Sequence, residues 1–427
     1  MEQYTQVKSS GVNWIMNIPE TWGVRVLFQL ADQVKNKNKD LSEQNLLSLS
    51  YGKIKRKDIN NPEGLLPESF DGYNIIEADD IVLRLTDLQN DHTSLRVGQA
   101  KERGIITSAY TTLRPSGLVN PHYLYYVLHA YDLIKGFYGM GAGVRQGLNY
   151  DEVKTIKIPF PSPDEQRAIV FYLDDQVSQI DSIIEEAKNS IDEYIRWKAS
   201  TIFEAVTKGL DPRVNLKDSH DQGIGRIPSH WRLSKVKQVA KLNPQIETDH
   251  LNASTEVTFA PMECIRTDRR IERIALFSDN NSSYSTFNEG DIALAKVTPC
   301  FQNGNVCVMS GLKNGFAFGS SELFNIRPFN VNTRYLLYFF MTEAFKNGGI
   351  ASMTGVAGLQ RVSSTYIRNA LLPLPPEEEQ ASIVHFLDRK CADIDALVSE
   401  KSVLIDDLEM YKRSLIYEAV TGKRKVV

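Results

Sequence analysis

Residues 158–207 read IPFPSPDEQRAIVFYLDDQVSQIDSIIEEAKNSIDEYIRWKASTIFEAVT. Residues 372–421 read LPLPPEEEQASIVHFLDRKCADIDALVSEKSVLIDDLEMYKRSLIYEAVT. The second stretch begins 214 positions after the first, and 20 of the 50 aligned positions are identical without a gap. A shorter match precedes each half, because IPETW at residues 18–22 returns as IPSHW at residues 227–231. Similarity at a fixed offset indicates an internal duplication.

Each long copy has the pattern of one amphipathic helix. In the first copy Ser162 predicts the N-cap, Pro163 the first helical position and Glu165 the capping glutamate. Apolar residues then recur near the helical period, at Ile169, Leu173, Ile180, Ile184, Ile191, Ile195 and Ile202 in the first copy and at Ile383, Leu387, Ile394, Val398, Ile405, Leu408 and Ile416 in the second. About 44 helical residues span roughly 65 Å.

These two helices are expected to pair. One long helix cannot bury such a stripe alone, but two can bury each other as a coiled coil. The alternative is that each helix packs only on its own globular domain, and the lengths favour pairing. We predict contact through Ile180, Ile184, Ile191, Ile394, Val398 and Ile405.

The segments before and between the helices differ in character. They are rich in Gly, Asn, Thr, Ser and aromatic residues, and short runs such as 80–84 and 290–294 predict short strands with many loops. Each ends in a helical patch, at 123–130 and 334–345, followed by a glycine-rich turn. The sequence therefore predicts an α+β fold of two mixed α/β domains joined by two long antiparallel coiled-coil helices, with a pseudo-twofold internal repeat. The predicted segments are 1–158 for the first domain, 159–215 for the central helix, 216–372 for the second domain and 373–427 for the C-terminal helix.

Composition and charge limit the function. A chain of 427 residues suits two domains. Residues 164–207 and 377–421 each carry a net charge of −6, so the rest carries +8 within a total of −4 and is basic enough to meet phosphate. The N-terminus has no apolar signal core and the sequence has no long apolar stretch, so we predict neither export nor a membrane span. Four cysteines without CxxC spacing fit the reduced thiols of a cytoplasmic protein and give no zinc pattern.

Catalytic motifs are weak or missing. Asp164 and Glu186-Ala187-Lys188 have the nominal spacing of a metal-dependent nuclease. However, Asp164 lies in a helix cap, the other residues lie within the helix, and Ser402 replaces Lys188 in the second copy. No phosphate-binding GxxxxGK[ST] loop, HExxH motif or Asn-Pro-Pro-aromatic tetrapeptide occurs. We predict a chain with no catalytic residues and no metal site.

Basic and amide side chains in the two domains are candidates for DNA contact, since such groups bind phosphates and base edges. The alternative is a solvated loop for the basic run at 53–57, a strand end for Arg84 and Gln89, and a brace for the glycine-rich turn for the Arg and Gln residues that recur in both copies. The candidates are Lys53, Lys55, Arg56, Lys57, Arg84, Gln89, Arg145 and Gln146 in the first domain and Arg266, Arg269, Arg270, Lys296, Gln360 and Arg361 in the second.

Together these features resemble the specificity subunit of type I restriction-modification systems. The resemblance covers nearly the whole chain and rests on the two IPxxW stretches, the Gly and Arg/Gln turns, the PxP…EQ helix starts, and the EAVTKG and EAVTGK endings. It implies two target-recognition domains that each read one half of a split, asymmetric site in double-stranded DNA. It also implies spacer helices that bind two methyltransferase subunits, with restriction and translocase subunits joining them. S-adenosylmethionine, ATP and Mg would then belong to those partners.

A second hypothesis from another class is an interaction scaffold whose paired modules bind protein or RNA. Methylation of one split DNA sequence, in the presence of a methyltransferase, would distinguish the specificity subunit from this scaffold.

Overall fold

Two long helices account for more than a fifth of the chain. The computed structural model describes residues 4–59, 69–140, 147–280, 283–356 and 358–426. Its helices are α1 (Pro121–Leu133), α2 (Tyr150–Val153), α3 (Pro163–Lys208), α4 (Thr333–Met341), α5 (Glu343–Ala351), α6 (Ser364–Asn369) and α7 (Glu377–Val420). The predicted helices are therefore confirmed as α3 and α7.

The chain forms two compact units. Unit 1 comprises Met1–Lys188 and Val403–Val427, and unit 2 comprises Asn189–Ser402. Each unit thus contains one globular part and portions of both long helices. The predicted segment boundaries do not follow this division, because they assign each helix to a single segment, and they stay a prediction.

Short strands build both globular parts, as the alternating runs predicted. Unit 1 contains β1 (Val7–Ser9), β2 (Asn17–Pro19), β3 (Gly23–Val26), β4 (Ala31–Gln33), β5 (Leu47–Ser50), β6 (Lys53–Arg56), β7 (Asn74–Ile76), β8 (Ile81–Leu83), β9 (Val97–Gln99), β10 (Gly104–Ile106), β11 (Thr111–Pro115) and β12 (Lys157–Phe160). Unit 2 contains β13 (Leu216–Asp218), β14 (Arg226–Pro228), β15 (Arg232–Lys235), β16 (Ala240–Leu242), β17 (Glu256–Ala260), β18 (Ile265–Arg266), β19 (Arg269–Arg270), β20 (Ile274–Leu276), β21 (Ser285–Asn288), β22 (Ile292–Ala295), β23 (Val306–Val308), β24 (Phe316–Gly319), β25 (Leu323–Pro328), β26 (Thr354–Val356), β27 (Leu359–Arg361) and β28 (Leu371–Leu374).

The same antiparallel sheet occurs in both units. Its order is β4-β11-β8-β9 in unit 1 and β16-β25-β22-β23 in unit 2. The pairs β12–β3 and β28–β15 also correspond. The units differ elsewhere, because unit 2 has a second four-stranded sheet, β20-β17-β24-β21, where unit 1 has the pairs β10–β7 and β5–β6.

Within unit 1, α3 and α7 run antiparallel. Arg424, just beyond α7, donates to the Tyr172 hydroxyl at 3.0 Å, and Lys412 Nζ donates to Asp181 Oδ1 at 2.7 Å, so the α7 numbers fall as the α3 numbers rise. Ile180 and Ile184 are buried in the unit 1 core, and Ile405 packs there partly buried.

Unit 2 contains the matching antiparallel contact. Lys198 Nζ donates to Asp395 Oδ2 at 2.7 Å, and Lys390 lies over the Trp197 ring. Asp395 and Lys412 lie 214 positions after Asp181 and Lys198, so this ion pair is the repeat copy of Lys412–Asp181. Equivalent side chains therefore make the same contact in each unit.

The remaining predicted pairing residues vary in burial. Ile394 is buried, whereas Ile191 and Val398 are half-buried. Ile195 departs from the predicted stripe and is 55% exposed. The helical period does not explain this exposure, because the same step of four residues joins Ile180 and Ile184, which are both buried. The equivalent position carries Glu409, which is half-buried and binds Lys412.

The helical patch predicted at 334–345 is not one helix. It is divided into α4 and α5 at Thr342, whose backbone is extended and whose side chain accepts a hydrogen bond from the Phe345 backbone N–H. Thr342 therefore acts as an N-cap in the middle of the patch, and a β-branched residue with a side-chain acceptor fits that role.

Candidate nucleic-acid interface

The start of each long helix anchors the entry strand of its unit. Buried Trp22 donates from Nε1 to Glu165 at 3.0 Å, and buried Trp231 makes the same bond to Glu379 at 3.0 Å. Glu165 also closes the predicted capping box with Ser162. One carboxylate thus caps the N-terminus of the long helix and also binds the tryptophan. This double role explains why IPxxW and the EQ helix start recur together.

The glutamine after that carboxylate positions the next helix. Buried Gln166 accepts from the Asn120 backbone N–H at 2.8 Å, and buried Gln380 accepts from the Asn332 backbone N–H at 2.8 Å. Asn120 and Asn332 are the N-caps of α1 and α4. The helices of each globular part are therefore tied to a long helix by a buried side-chain amide.

A buried carboxylate fixes the central strand of each shared sheet. Arg114 binds Asp80 through two hydrogen bonds of 2.8 and 2.7 Å, and Arg327 binds Asp291 through two of 2.7 and 2.8 Å. Because Asp80 immediately precedes β8 and Asp291 immediately precedes β22, each bidentate pair fixes the start of a central strand against the neighbouring strand that contains the arginine.

In unit 1 the loop after β8 is held by one buried arginine. Arg96, with a fully buried side chain, donates to the carbonyls of Arg84, Thr86, Asp87 and Asp91 and to the Tyr138 hydroxyl. Five bonds from one guanidinium give this loop a defined shape. The loop carries two predicted DNA contacts, half-buried Arg84 and exposed Gln89.

In unit 2 the corresponding loop follows β22 and uses a different device. Lys296 donates from Nζ to the Ser321 carbonyl at 2.7 Å and lies 4.8 Å from the centre of the Phe324 ring. Burial lowers the pKa of Lys296, and nearby Arg361 acts in the same direction.

The structure brings Lys296, Gln360 and Arg361 together. The Gln360 backbone N–H donates to Thr298 Oγ1 at 3.1 Å, which attaches the β26–β27 hairpin to this loop. Arg361 binds Glu322 through hydrogen bonds of 2.9 and 2.6 Å. Three predicted contacts from distant parts of the sequence thus share one surface.

The corresponding junction in unit 1 is partly described. Leu148 N–H donates to the Leu85 carbonyl at 2.9 Å, as Val362 N–H does to the Lys296 carbonyl at 2.9 Å. The segment after the glycine-rich turn therefore meets the loop in both units. Arg145 and Gln146 lie outside the described residues.

The other predicted contacts lie on separate elements. Lys53, Lys55 and Arg56 project from β6 and Lys57 follows it, all exposed, and Arg56 is paired with Glu102. Arg269 is exposed, Arg266 and Arg270 are half-buried, and Arg270 donates to the Ser310 carbonyl at 3.0 Å. The comparisons and contacts leave the DNA-binding role of these residues a prediction.

Sequence reasoning missed several residues of this frame. Arg96 and Glu322 carried no motif, since their roles depend on carbonyls and cations that only the fold brings close. The pairs Asp80–Arg114 and Asp291–Arg327 did leave a signal. Asp-Ile begins both central strands, and Arg-Pro ends both partner strands, so a repeat search with shorter windows could have found them.

The nominal nuclease spacing has no geometric basis. Asp164 and Glu186 both lie in α3, and 22 positions of one α-helix separate them by about 33 Å. Two carboxylates that far apart cannot hold one cation. In the part of the chain that the structure describes, no group of three His, Cys, Asp or Glu residues could hold a metal ion. Nor does any described helix have an apolar stretch suited to crossing a bilayer.

Comparison with known proteins assigns this architecture. Residues 19–193 and 228–403 each match the family described as "Type I restriction modification DNA specificity domain". The chain is 34% identical over 224 residues to the specificity subunit of the type I restriction enzyme EcoAI of Escherichia coli, which is 51% of this chain and 37% of that relative. The corresponding EcoEI subunit of Escherichia coli is 32% identical over 47% of this chain and 34% of its own length. The chain thus spans little more than a third of these curated relatives.

Other relatives match along their whole length. The putative MjaX specificity subunit of Methanocaldococcus jannaschii is 22% identical over 96% of both chains. A chain solved in a study of complex assembly and conformational transition of the type I R-M system is 14% identical, with a TM-score of 0.70 over 95% of this chain and 99% of its own. The HsdS subunit from Thermoanaerobacter tengcongensis is 15% identical, with a TM-score of 0.50 over 95% and 98%. At these identities the solved chains support the fold alone.

Proposed function

Because the chain belongs to the family of type I restriction-modification DNA specificity domains, we propose that it is the sequence-reading subunit of a type I restriction-modification complex. Each unit reads one half of a bipartite, asymmetric site in double-stranded DNA. The chain itself performs no catalysis, and methyl transfer and cleavage belong to partner subunits that bind S-adenosylmethionine, ATP and Mg.

One observation supports this proposal more strongly than any other. The contacts that shape the frame recur in both units, whereas the loops after β8 and β22 are built from different residues. A repeated frame with different loops is the arrangement needed to present two different reading surfaces in one protein. The exposed cations near these loops, together with Gln360 and Arg361, would bind phosphate, and Arg84 and Gln89 are the proposed contacts to base edges.

The long helices are the proposed spacer and docking surface. At 1.5 Å per residue α3 extends about 69 Å, and α3 and α7 expose large apolar side chains that could be covered by two methyltransferase subunits. These residues are Phe171, Ile183, Ile195, Trp197, Leu397, Val403, Leu404, Met410 and Tyr411. Restriction and translocase subunits would join the same assembly in the cytoplasm, where the chain has access to DNA.

Co-expression of the chain with its methyltransferase partner, followed by sequencing of methylated bases, tests the function. We expect modification at one split sequence with a fixed gap. Modification at a contiguous motif would contradict reading by two separate units. Methylation without sequence dependence would return the chain to the scaffold class that binds protein or RNA.

A further inference from the structure

The candidate surface of unit 2 contains a carboxylate between cations. Glu322 directly precedes β25 and accepts both hydrogen bonds that Arg361 donates to it. Its backbone carbonyl accepts from the Lys296 backbone N–H at 2.9 Å. Arg361 lowers the pKa of Glu322 below its usual range, so the carboxylate is charged at neutral pH.

Both partners of this ion pair are accessible. The Arg361 side chain is 49% exposed and the Glu322 side chain is 29% exposed. A pair exposed to this degree contributes little stability and can exchange partners. In the same sheet, Arg327 and Asp291 form the structural pair, because the Asp291 side chain is only 2% exposed. The Glu322 carboxylate is thus far more accessible than the carboxylate of the structural pair.

A carboxylate on a phosphate-binding surface repels DNA unless it meets a hydrogen-bond donor. In the major groove that donor is an exocyclic amino group, N4 of cytosine or N6 of adenine. Arg361 has complementary chemistry, since a guanidinium released from Glu322 can bind a phosphate or guanine. Partner exchange would therefore satisfy both charges only on DNA with an amino group at that position.

We propose that Glu322 is a specificity-determining residue of unit 2. It occupies Arg361 in the absence of DNA and releases it where an amino-bearing base can take the carboxylate. On other DNA the carboxylate stays near phosphate and weakens binding. This inference rests on the proposed function of the chain as a DNA-reading subunit.

The test compares Glu322→Ala and Glu322→Gln with the matched control Glu343→Gln, which removes the same charge from the ion pair of exposed Glu343 with half-buried Lys346 in α5. The full chain, in complex with its methyltransferase, is bound to a short duplex carrying the mapped site and to an unrelated duplex. The methylated motif is mapped for each variant. Glu322→Gln removes the charge but keeps an acceptor, whereas Glu322→Ala removes both.

We expect Glu322→Ala to relax one base position in a single half-site and to tighten binding to the unrelated duplex by about three- to tenfold. Glu322→Gln should tighten that binding with a weaker loss of base preference. In an Arg361→Gln background the gain in affinity should be smaller, because the release of Arg361 to phosphate no longer contributes and only the removal of the repelling carboxylate remains.

Three results would overturn the inference. Weaker binding to both duplexes with an unchanged motif would show that Glu322 only braces Arg361. An equal effect of Glu343→Gln would reduce the effect to net charge. A wild-type complex that binds DNA without sequence dependence would contradict the proposed function itself. If the wild-type motif is intact and either of the first two results is found, only the role of Glu322 is contradicted.

Discussion

Unit 1 and unit 2 agree where the chain builds its frame and differ where it offers a surface. Lys412–Asp181 and Lys198–Asp395 are one ion pair in two copies. The bonds of Trp22 and Trp231 to helix-start carboxylates correspond in the same way. The side chains that hold the loops after β8 and β22, Arg96 in unit 1 and Lys296 in unit 2, share no such equivalence. The contacts that hold the helix ends and the strands are thus the same in both copies, whereas the residues that differ lie in the loops between strands.

The interiors also differ in polarity. Unit 1 buries Arg96, His129 and Asp132, and burial raises the pKa of Asp132 to about 6. At the offset of 212 that relates α1 to α4, unit 2 has Met341 and Ala344 in place of His129 and Asp132. Buried polar groups are costly when unpaired, so the stability of unit 1 should depend more on individual residues and on pH.

The largest expected effect is that of Arg96→Met. Removal of this guanidinium takes away its five hydrogen bonds and leaves the carbonyls of Arg84 and Thr86 without a donor among the described residues. At roughly 1–3 kcal/mol for each unsatisfied carbonyl, unit 1 should lose about 3–5 kcal/mol of unfolding free energy. Hydrogen exchange should show early opening of residues 84–96, and the methylated motif should lose one half.

The matched change in unit 2 is Lys296→Met. It removes the bond to only one carbonyl and should cost about 1 kcal/mol. Equal loss of amide protection in both units after Arg96→Met would contradict the interpretation that Arg96 stabilises only the loop of unit 1.

A second difference is pH dependence through His129. Burial, aided by Lys412 and Arg413, lowers its pKa from 6.5 to about 4. The pKa of His129 is lower in the folded state than in the unfolded state. The stability that the neutral histidine allows is therefore fully present above pH 6.5 and is lost as the pH falls towards 4. The loss should reach about 3 kcal/mol.

His129→Met, which installs the residue that unit 2 has at this position, should remove that contribution. The measurement is the difference in unfolding free energy between wild type and variant at pH 7 and at pH 4.5. Asp132 acts in the opposite direction below pH 6 in both proteins, so it cancels in this comparison. An unchanged difference across the two pH values would refute the buried neutral histidine.

The smallest expected effect concerns the repeated ion pair. Lys412→Met and Lys198→Met should each cost about 0.5–1 kcal/mol, since both pairs are partly exposed. Lys412 should cost slightly more because it also binds Glu409. Charge reversal, Asp181→Lys with Lys412→Asp, should restore most of the loss in urea unfolding. Failure of the reversal to restore stability would show that the lysine stem, not its charge, matters.

The sequence predicted the frame better than the surface, for a physical reason. Caps and apolar periodicity are local, so Ser162, Pro163 and Glu165 specified the start of α3 without knowledge of the fold. Ile195 shows the limit of that reasoning, since a stripe traced along one helix ignores the position of its neighbour. Arg96 and Glu322 could not be identified, because carbonyls and cations distant in sequence define their roles.

The most direct test of the two-surface account exchanges one surface and leaves the frame intact. Residues 25–155 are replaced by the corresponding segment of another member of the family, and methylated bases are mapped after co-expression with the methyltransferase. We predict a new sequence in one half of the motif, with the other half unchanged. Alteration of both halves, or of neither, would contradict it.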